Sequence, residues 1–410
     1  LTNALKFSSK GDRVHVSARK IDTSWKVSIQ DQGIGISQEN QEKIFKIDAK
    51  FKTEGTSGEK GTGLGLIISK EFIENLSKEI DLNKIDYVIA NHAENDHSGA
   101  LPELMRLIPD TPIYCTKNGV KSLKGHYHQD WNFHVVNTGD KLSLGNKEII
   151  FVEAPMLHWP DSMFCYLTED NILFSNDAFG QHYASEFMFN DLVDSNELAE
   201  ECIKYYANIL TPFSPLVTKK IKEVLSFNLP LDMICTSHGI IWRDKPEQIV
   251  EKYLAWADSY QENQITLIYD TMWNGTRLMA EKIADGIKAS DSEVNVKLFN
   301  LAKSDKNDVI TEIFKSKAIL AGSPTINRGI LVSVAAMLEE IKGLRFKNKK
   351  AAAFGCYGWS GESVGIISEH LKGDGFELVN DGLKITWTPD TEGCNQCMEY
   401  GKEVAEKFNP

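Results

Sequence analysis

Short apolar runs rich in β-branched residues alternate with polar loops along most of the chain, and their spacing changes character near residue 260. Between residues 85 and 240, the runs IDYVIANH (85–92), EIIFVEAP (148–155), MFCYLTED (163–170), NILFSND (171–177) and DMICTSHG (232–239) alternate with loops that bear histidine and acid. Runs of this length and composition predict strands, and apolar spacings of three and four predict helices at about 195–210, 213–227 and 246–259. From Ile265 the pattern becomes a regular alternation. ITLIYD, VNVKLFNL, AILAGSP, AAAFGCYG and LKITWTP read as strands. The helices between them fall on TRLMAEKIADGI, 307–315, 330–342, 361–373 and 395–407. Five strands alternating with five helices predict a parallel sheet covered on both faces. WADSYQENQ, near 256–264, is the expected linker between the two patterns.

At 410 residues the chain has room for two or three domains, and its 42% hydrophobic and 25% charged residues exclude a disordered or fibrous class. No run approaches the roughly eighteen apolar residues of a spanning helix. LTNALKFSSKGD has no apolar leader core, so a cytoplasmic protein is expected. A net charge of −13 argues against nucleic acid or an anionic membrane as partner. The charge is unevenly spread. Residues 1–75 carry 12 basic against 10 acidic side chains, whereas the rest carries 33 against 48. Seven scattered cysteines read as reduced thiols rather than a disulfide framework. Cys394 and Cys397 form a CxxC, but no second pair accompanies it, and a structural role is expected.

The densest chemistry is His92-Ala-Glu94-Asn-Asp96-His97, directly after the run YVIAN. His158 follows EAPML, Asp177 ends ILFSND and His238 ends MICTSH. Any one of these histidines alone would more often be a core or capped residue. Seven imidazoles and carboxylates at the ends of strand-like runs are too many for one tetrahedral ion and suit two ions sharing a carboxylate. His126, His128, His134, His182 and His370 lack that placement and are expected to be structural or to support the ligands.

These residues, with the phrases HSGALPEL, LHWPDSMF, SNDAFGQHYAS and TSHGIIWR, resemble the metallo-β-lactamase-like superfamily and, within it, the flavodiiron proteins. Hydrolases of the superfamily carry histidine where this chain has Glu94; a carboxylate there makes the site harder and favours iron over zinc. The resemblance implies that His92, Glu94 and His158 hold one iron, that Asp96, His97 and His238 hold the other, and that Asp177 bridges them. Glu94, Asp177 and His97 are the expected catalytic residues.

In the C-terminal half, Thr271-Met272-Trp273-Asn274-Gly275-Thr276 follows ITLIYD and opens a helix, an anion site suited to a phosphate. Two more loops leave the same predicted sheet edge. One carries Ser323, Pro324, Thr325 and Asn327; the other carries Tyr357, Gly358, Trp359 and Gly361. Open parallel sheets bind ligands there. Together, and without a GxGxxG fingerprint, the loops resemble flavodoxin and imply FMN, with Thr271 and Thr276 on its phosphate.

LTNALKFS, Asp31-Gln-Gly33-Ile-Gly35 and Gly61-Thr-Gly63-Leu-Gly65-Leu resemble, in that order, the ATP-binding domain of sensor histidine kinases. In that family Asn3 would touch magnesium and Asp31 the adenine. The resemblance changes hands near EFIENLSKEI (71–80), which suits a helix of either parent. A gene fusion or an assembly join replacing the first strands of the β-lactamase-like part would produce this order, leaving an apolar sheet face and an unpaired edge.

The expected fold class is therefore α/β multidomain. A partial kinase-ATPase-like fragment covers 1–75. An αββα metallo-β-lactamase-like sandwich lacking its usual first strands covers 76–260, and a five-stranded flavodoxin-like doubly wound parallel sheet covers 265–410. The resemblance implies an enzyme reducing dioxygen to water, nitric oxide to nitrous oxide, or both, with FMN and two iron ions, as a head-to-tail homodimer. No rubredoxin module follows Pro410 in this sequence. The expected electron donor is external, a rubredoxin-like protein or a reduced deazaflavin. The alternatives are a zinc hydrolase of the superfamily, an ATP-binding regulatory fragment, or a flavodoxin-type electron carrier with a non-functional metal domain.

Overall fold

A computed structural model describes residues 12–21, 24–32 and 65–408. The segments LTNALKFS, Gly33-Ile-Gly35 and Gly61-Thr-Gly63 lie outside the described residues. The chain divides into two compact units, Leu1–Val135 and Val136–Pro410.

In the first unit, VHVSARK and WKVSIQD form the antiparallel hairpin β1 (His15–Ile21) and β2 (Ser24–Gln30). The stretch where the two sequence resemblances meet lies in a helix, Gly65–Glu79. Its Ile73 is buried and Leu76 packs beside it, one turn apart, against Leu101, Leu104, Met105 and Ile108. Burying two such side chains contributes a few kcal/mol, about 2 kcal/mol each. Behind them β3 (Val88–Ile89), β4 (Ile113–Cys115) and β5 (Phe133–Val135) make a parallel sheet in that order. The run IDYVIANH thus yields only two residues of strand, because only Val88 and Ile89 find partners on β4. Among the described residues β3 is an edge of its sheet.

The second unit contains two sheets. β6 (Lys141–Ser143), β7 (Glu148–Glu153), β8 (Met163–Leu167), β9 (Ile172–Asn176) and β10 (Met233–Thr236) lie in the order β10-β9-β8-β7-β6. β6 to β9 are antiparallel, and β10 joins β9 in parallel. Helices Ser195–Tyr205, Ser214–Ser226 and Glu247–Ala257 bury Leu198, Val217, Ile221, Ile249 and Tyr253 in one core with Val152, Phe164 and Leu173. The first begins where Asp194 accepts from the backbone N–H groups of Asn196 and Glu197. The helix expected to run to residue 210 is regular only to Tyr205. A π-turn, Tyr206–Leu210, and a 3-10 turn, Thr211–Phe213, follow, because Pro212 has no N–H to continue the ladder.

β11 (Glu262–Tyr269), β12 (Asn295–Asn300), β13 (Ser316–Gly322) and β14 (Lys350–Tyr357) form the parallel sheet predicted from Ile265 onward, in the order β12-β11-β13-β14. The fifth position departs from expectation. It is shared by β15 (Glu377–Leu378) and β16 (Leu383–Thr386), both paired to β14. Gly382 interrupts the strand at φ +85, where a Cβ would sit 2.4 Å from Val364 Cγ1 and 2.8 Å from Ala353 O. Burial pushes the Cys397 thiol on the last helix up to about 12, so it stays neutral and packs in the core. Among the described residues no helix is long and apolar enough to cross a membrane.

The expected linker is short and packed. Trp256 is 5% exposed, and Tyr260 stacks on Phe314 at 5.8 Å. Beside it Lys349, 4% exposed, donates to Phe314 O (2.8 Å) and Ser316 O (2.5 Å). Burial pushes its amine down to about 7, from an ordinary value near 10.5. Between those two values the unfolded chain binds the proton that the folded chain releases, so stability rises with pH through this window. The unfolding midpoint should therefore climb from pH 7 to pH 9 in thermal melts. Lys349→Met should flatten that climb.

Candidate metal centre and cofactor cavity

In the first unit the chain leaves β3 through Ala90 and Asn91, and His92 follows, 3% exposed. Its Nε2 lies 3.2 Å from Glu94 Oε2. Glu94 is the cap of a single helical turn, Asn95–Ser98, that lifts Asp96 and His97 on its first and second residues after Asn95. His97 Nε2 is 3.5 Å from Asp96 Oδ2, and the His92 and His97 rings are 4.9 Å apart. Four donor side chains therefore crowd the end of β3.

One turn of helix has little stability of its own. It is pinned from below: Ser98 Oγ donates to Ala93 O (2.7 Å) and lies 2.7 Å from Tyr127 Oη, which reaches Asn95 Oδ1 at 3.2 Å. Tyr127 ends the helix Lys117–Tyr127. Nothing in the spacing of the ligands pointed to it.

In the second unit His158 follows β7 through a cis peptide bond with Leu157, and Asp177 directly follows the last residue of β9. Asp177 is 1% exposed, and its two oxygens turn to different histidines. Oδ2 is 3.6 Å from His158 Nε2, and Oδ1 is 3.2 Å from His238 Nε2. A buried carboxylate is expensive unless it is paired or hydrogen-bonded, and Asn176 Nδ2 also donates to Oδ2 at 3.2 Å. His238 is held by the turn that follows it. Gly239, at φ +75, leaves room where a Cβ would meet Gln181 Oε1 at 1.7 Å, and Gln181 clamps Ile240 through its N–H (2.6 Å) and its carbonyl (3.2 Å). Gln181 is a supporting residue that sequence reasoning missed. His182 packs edge-on against His238 at 5.5 Å, the supporting position expected for it. His134 instead stacks on Tyr114, and His128 caps a helix, so neither joins the ligand groups.

The second chemical feature is a cavity of about 460 Å³ at the carboxyl edge of the parallel sheet. β11 lies between β12 and β13 there, so the strand order reverses at this edge. Thr271, Met272, Trp273 and Gly275 line it from the first loop, Pro324, Thr325 and Asn327 from the second, and Tyr357, Gly358 and Trp359 from the third. Thr271 Oγ1 is buried without a hydrogen-bond partner, an orphan hydroxyl beside the N-terminus of helix Gly275–Ser290. That is the arrangement an anionic group would complete. Trp273 is 84% and Trp359 90% exposed at the rim.

Four expected residues are not on the wall. Thr276 is fully buried with Oγ1 3.3 Å from Cys356 Sγ, and Ser323 Oγ donates to Pro324 O while accepting from Leu331 N. Asn274, at φ +66, caps the helix that Gly275 opens, and Gly361 caps Glu362–Gly373. Conversely Ile326, Arg328, Cys356, Ser360, Trp387 and Thr388 line the cavity without having been singled out. Most are loop neighbours of residues that were. Trp387 and Thr388 come from beyond β16, where the sequence signalled only the end of a strand.

Residues 63–239 match the family described as ODP family beta lactamase, and residues 267–401 match flavodoxin. Residues 1–100 match the histidine kinase-, DNA gyrase B- and HSP90-like ATPases. Anaerobic nitric oxide reductase flavorubredoxins of Klebsiella pneumoniae subsp. pneumoniae and Pectobacterium atrosepticum are each 58% identical over 342 residues. That stretch is 83% of this chain and 71% and 67% of theirs. The structure is similar to the rubredoxin oxygen:oxidoreductase of the anaerobe Desulfovibrio gigas, with TM-score 0.80 and 36% identity over 83% of this chain and 85% of that one. The flavodiiron protein of Giardia intestinalis matches with TM-score 0.79 and 30% identity over 83% and 84%.

Because Tyr127 carries the hydroxyl that pins the turn Asn95–Ser98, Tyr127→Phe should lower stability by about 1 kcal/mol in urea unfolding. The metal content of the purified variant should fall with it. An unchanged unfolding midpoint and metal content would remove the pin.

Proposed function

The chain belongs to the flavodiiron family, and from that premise we propose that it reduces nitric oxide to nitrous oxide, dioxygen to water, or both. It is an oxidoreductase that works with FMN and a non-haem diiron centre. The metal-binding part is assigned to residues 76–260 and the flavin part to 265–410.

His92, Glu94 and His158 are proposed to hold one iron, Asp96, His97 and His238 the other, and Asp177 both. The observation that carries this assignment is Asp177, whose two oxygens turn to different histidines while the residue is 1% exposed. The donor chemistry fits two cations: four imidazoles and three carboxylates, with the buried carboxylate of Asp177 between two of the imidazoles. Glu94 favours iron over the zinc of the hydrolases. When loaded, the iron pair supplies the redox chemistry on the gas and FMN supplies the electrons.

This chain's own residues then have three tasks. The histidines and carboxylates fix the two metal positions. Asp177 keeps the two positions adjacent, because one carboxylate cannot reach distant ions. In the flavin part, Thr271 and the helix N-terminus at Gly275 are proposed to take the phosphate, and Asn327, Tyr357 and Trp359 to flank the ring. Thr271 fits that role through its orphan hydroxyl. Thr276 would act through the loop it packs under.

The higher identity to nitric oxide reductases, 58% against 36% for the oxygen-reducing relative, favours nitric oxide as the better substrate. A head-to-tail homodimer would cover the exposed Trp273 and Trp359. A rubredoxin-like protein or a reduced deazaflavin would deliver the electrons. All seven cysteines are free thiols, the state that the cytoplasm maintains.

Glu94→Ala and Asp177→Ala should abolish consumption of both gases while leaving FMN bound. Anaerobic reduction of the flavin, followed by separate gas pulses with reoxidation timed, measures it. Undiminished reoxidation in either variant would misplace the site, and iron analysis should return two irons per chain in the parent. Sedimentation at micromolar concentration should give a dimer, and a monomer would remove the head-to-tail arrangement.

A further inference from the structure

The cavity wall holds one charged group that the flavin assignment leaves without a task. Residues 326–329 make a tight reverse turn, in which Ile326 N–H donates to Gly329 O (3.2 Å) and Gly329 N–H to Ile326 O (2.7 Å). Both residues between them are left-handed, Asn327 at φ +49 and Arg328 at φ +59. Two-residue turns of this hand favour glycine at the second central position, and asparagine tolerates the region far better than arginine does. The turn's backbone hydrogen bonds would form equally well with glycine at 328. The strain at Arg328 is therefore unrewarded by the turn itself, and such strain concentrates where a side chain has work to do.

Arg328 is also the only charged side chain among the residues lining the cavity. Among the described residues it has no ion-pair partner, in a chain whose net charge is −13. An unpaired cation on the wall of a cavity is an electrostatic half-site. The phosphate end already has the orphan hydroxyl of Thr271 and the N–H groups at Gly275 on the first loop. Arg328 stands on the second loop, beside Thr325 and Asn327.

We propose that Arg328 is the electrostatic partner of the flavin ring and stabilises the negative charge that the ring gains on reduction. Two electrons and one proton leave the ring with one negative charge, and a nearby guanidinium favours that state over the neutral oxidised one. This rests on the FMN assignment above. The arginine is a tuning residue: it makes the flavin easier to reduce and leaves the affinity for oxidised FMN nearly unchanged.

The test uses the full chain and compares Arg328→Asn with Arg328→Lys. Asparagine accepts the left-handed backbone, so the unfolding midpoint of that variant should not fall, which separates lost charge from a collapsed turn. Dissociation constants for oxidised FMN and for riboflavin come from fluorescence quenching in the flavin-stripped protein. The midpoint potential comes from anaerobic titration against a reference dye. In Arg328→Asn the reduced form should bind about tenfold more weakly relative to the oxidised form, a fall of about 30 mV for a two-electron couple. Arg328→Lys should recover most of it. An unchanged potential in Arg328→Asn overturns the proposal. So does an equal loss for both redox states confined to FMN and absent for riboflavin, which would put the cation on the phosphate instead. A parent protein that takes up no FMN would sink the flavin assignment itself, and this inference with it.

Discussion

Asp177 is the constraint on which the second unit turns. Its carboxylate sits at the end of β9, an inner strand between β8 and β10, at 1% exposure. An ionised carboxylate in such a place is destabilising by several kcal/mol unless cationic or hydrogen-bonding groups surround it. His158 and His238 approach its two oxygens from the ends of two other strand runs. Each needs special backbone to get there, Gly239 at φ +75 in one case and the turn around Met156 at φ +67 in the other. The sheet, the turns and the buried carboxylate are mutually dependent, because each histidine reaches its oxygen only through its own turn.

The two chemical sites of the second unit share one packed interior. Tyr206 meets Tyr253 edge-on at 5.0 Å, Trp256 at 5.5 Å and Phe314 at 5.7 Å, so helices of the metal-bearing layer and of the flavin-type layer contribute to one aromatic cluster. Aromatic pairs of this geometry add about 1 kcal/mol each beyond their buried area. Ion pairs reinforce the seam, Lys315 with Glu200 and Lys204 with Asp308. The segment that composition marked as a linker is therefore part of the core. Its residues WADSYQENQ look polar in one dimension, yet the two aromatics among them face inward.

Much of this was legible beforehand because strand ends advertise themselves. An apolar β-branched run followed by histidine or acid is visible without structure, and it marks His92, Asp177 and His238 as candidates near the ends of β3, β9 and β10. The three loops that line the cavity were legible because each follows an apolar strand-like run. Harder to see was anything whose effect depends on side-chain direction. Thr276 and Ser323 carry the right hydroxyls in the right loops, but they spend them on Cys356 and on the loop backbone. Gln181 and Tyr127 carry no ligand chemistry and act only through what they hold. The splitting of the fifth strand was invisible because Gly382 reads as an ordinary loop glycine until Val364 is seen above it.

The order of residues along the chain alone offered the candidate ligand side chains and the three candidate loops, and determined that a parallel sheet follows Ile265. Those follow from periodicity and from donor chemistry, which are local. Only the tertiary structure decided that each oxygen of Asp177 faces its own histidine, that Trp387 joins the cavity, and that Arg328 stands on its wall without a counterion among the described residues. Direction and charge pairing are set by what the rest of the core leaves room for, and no window of sequence contains that information.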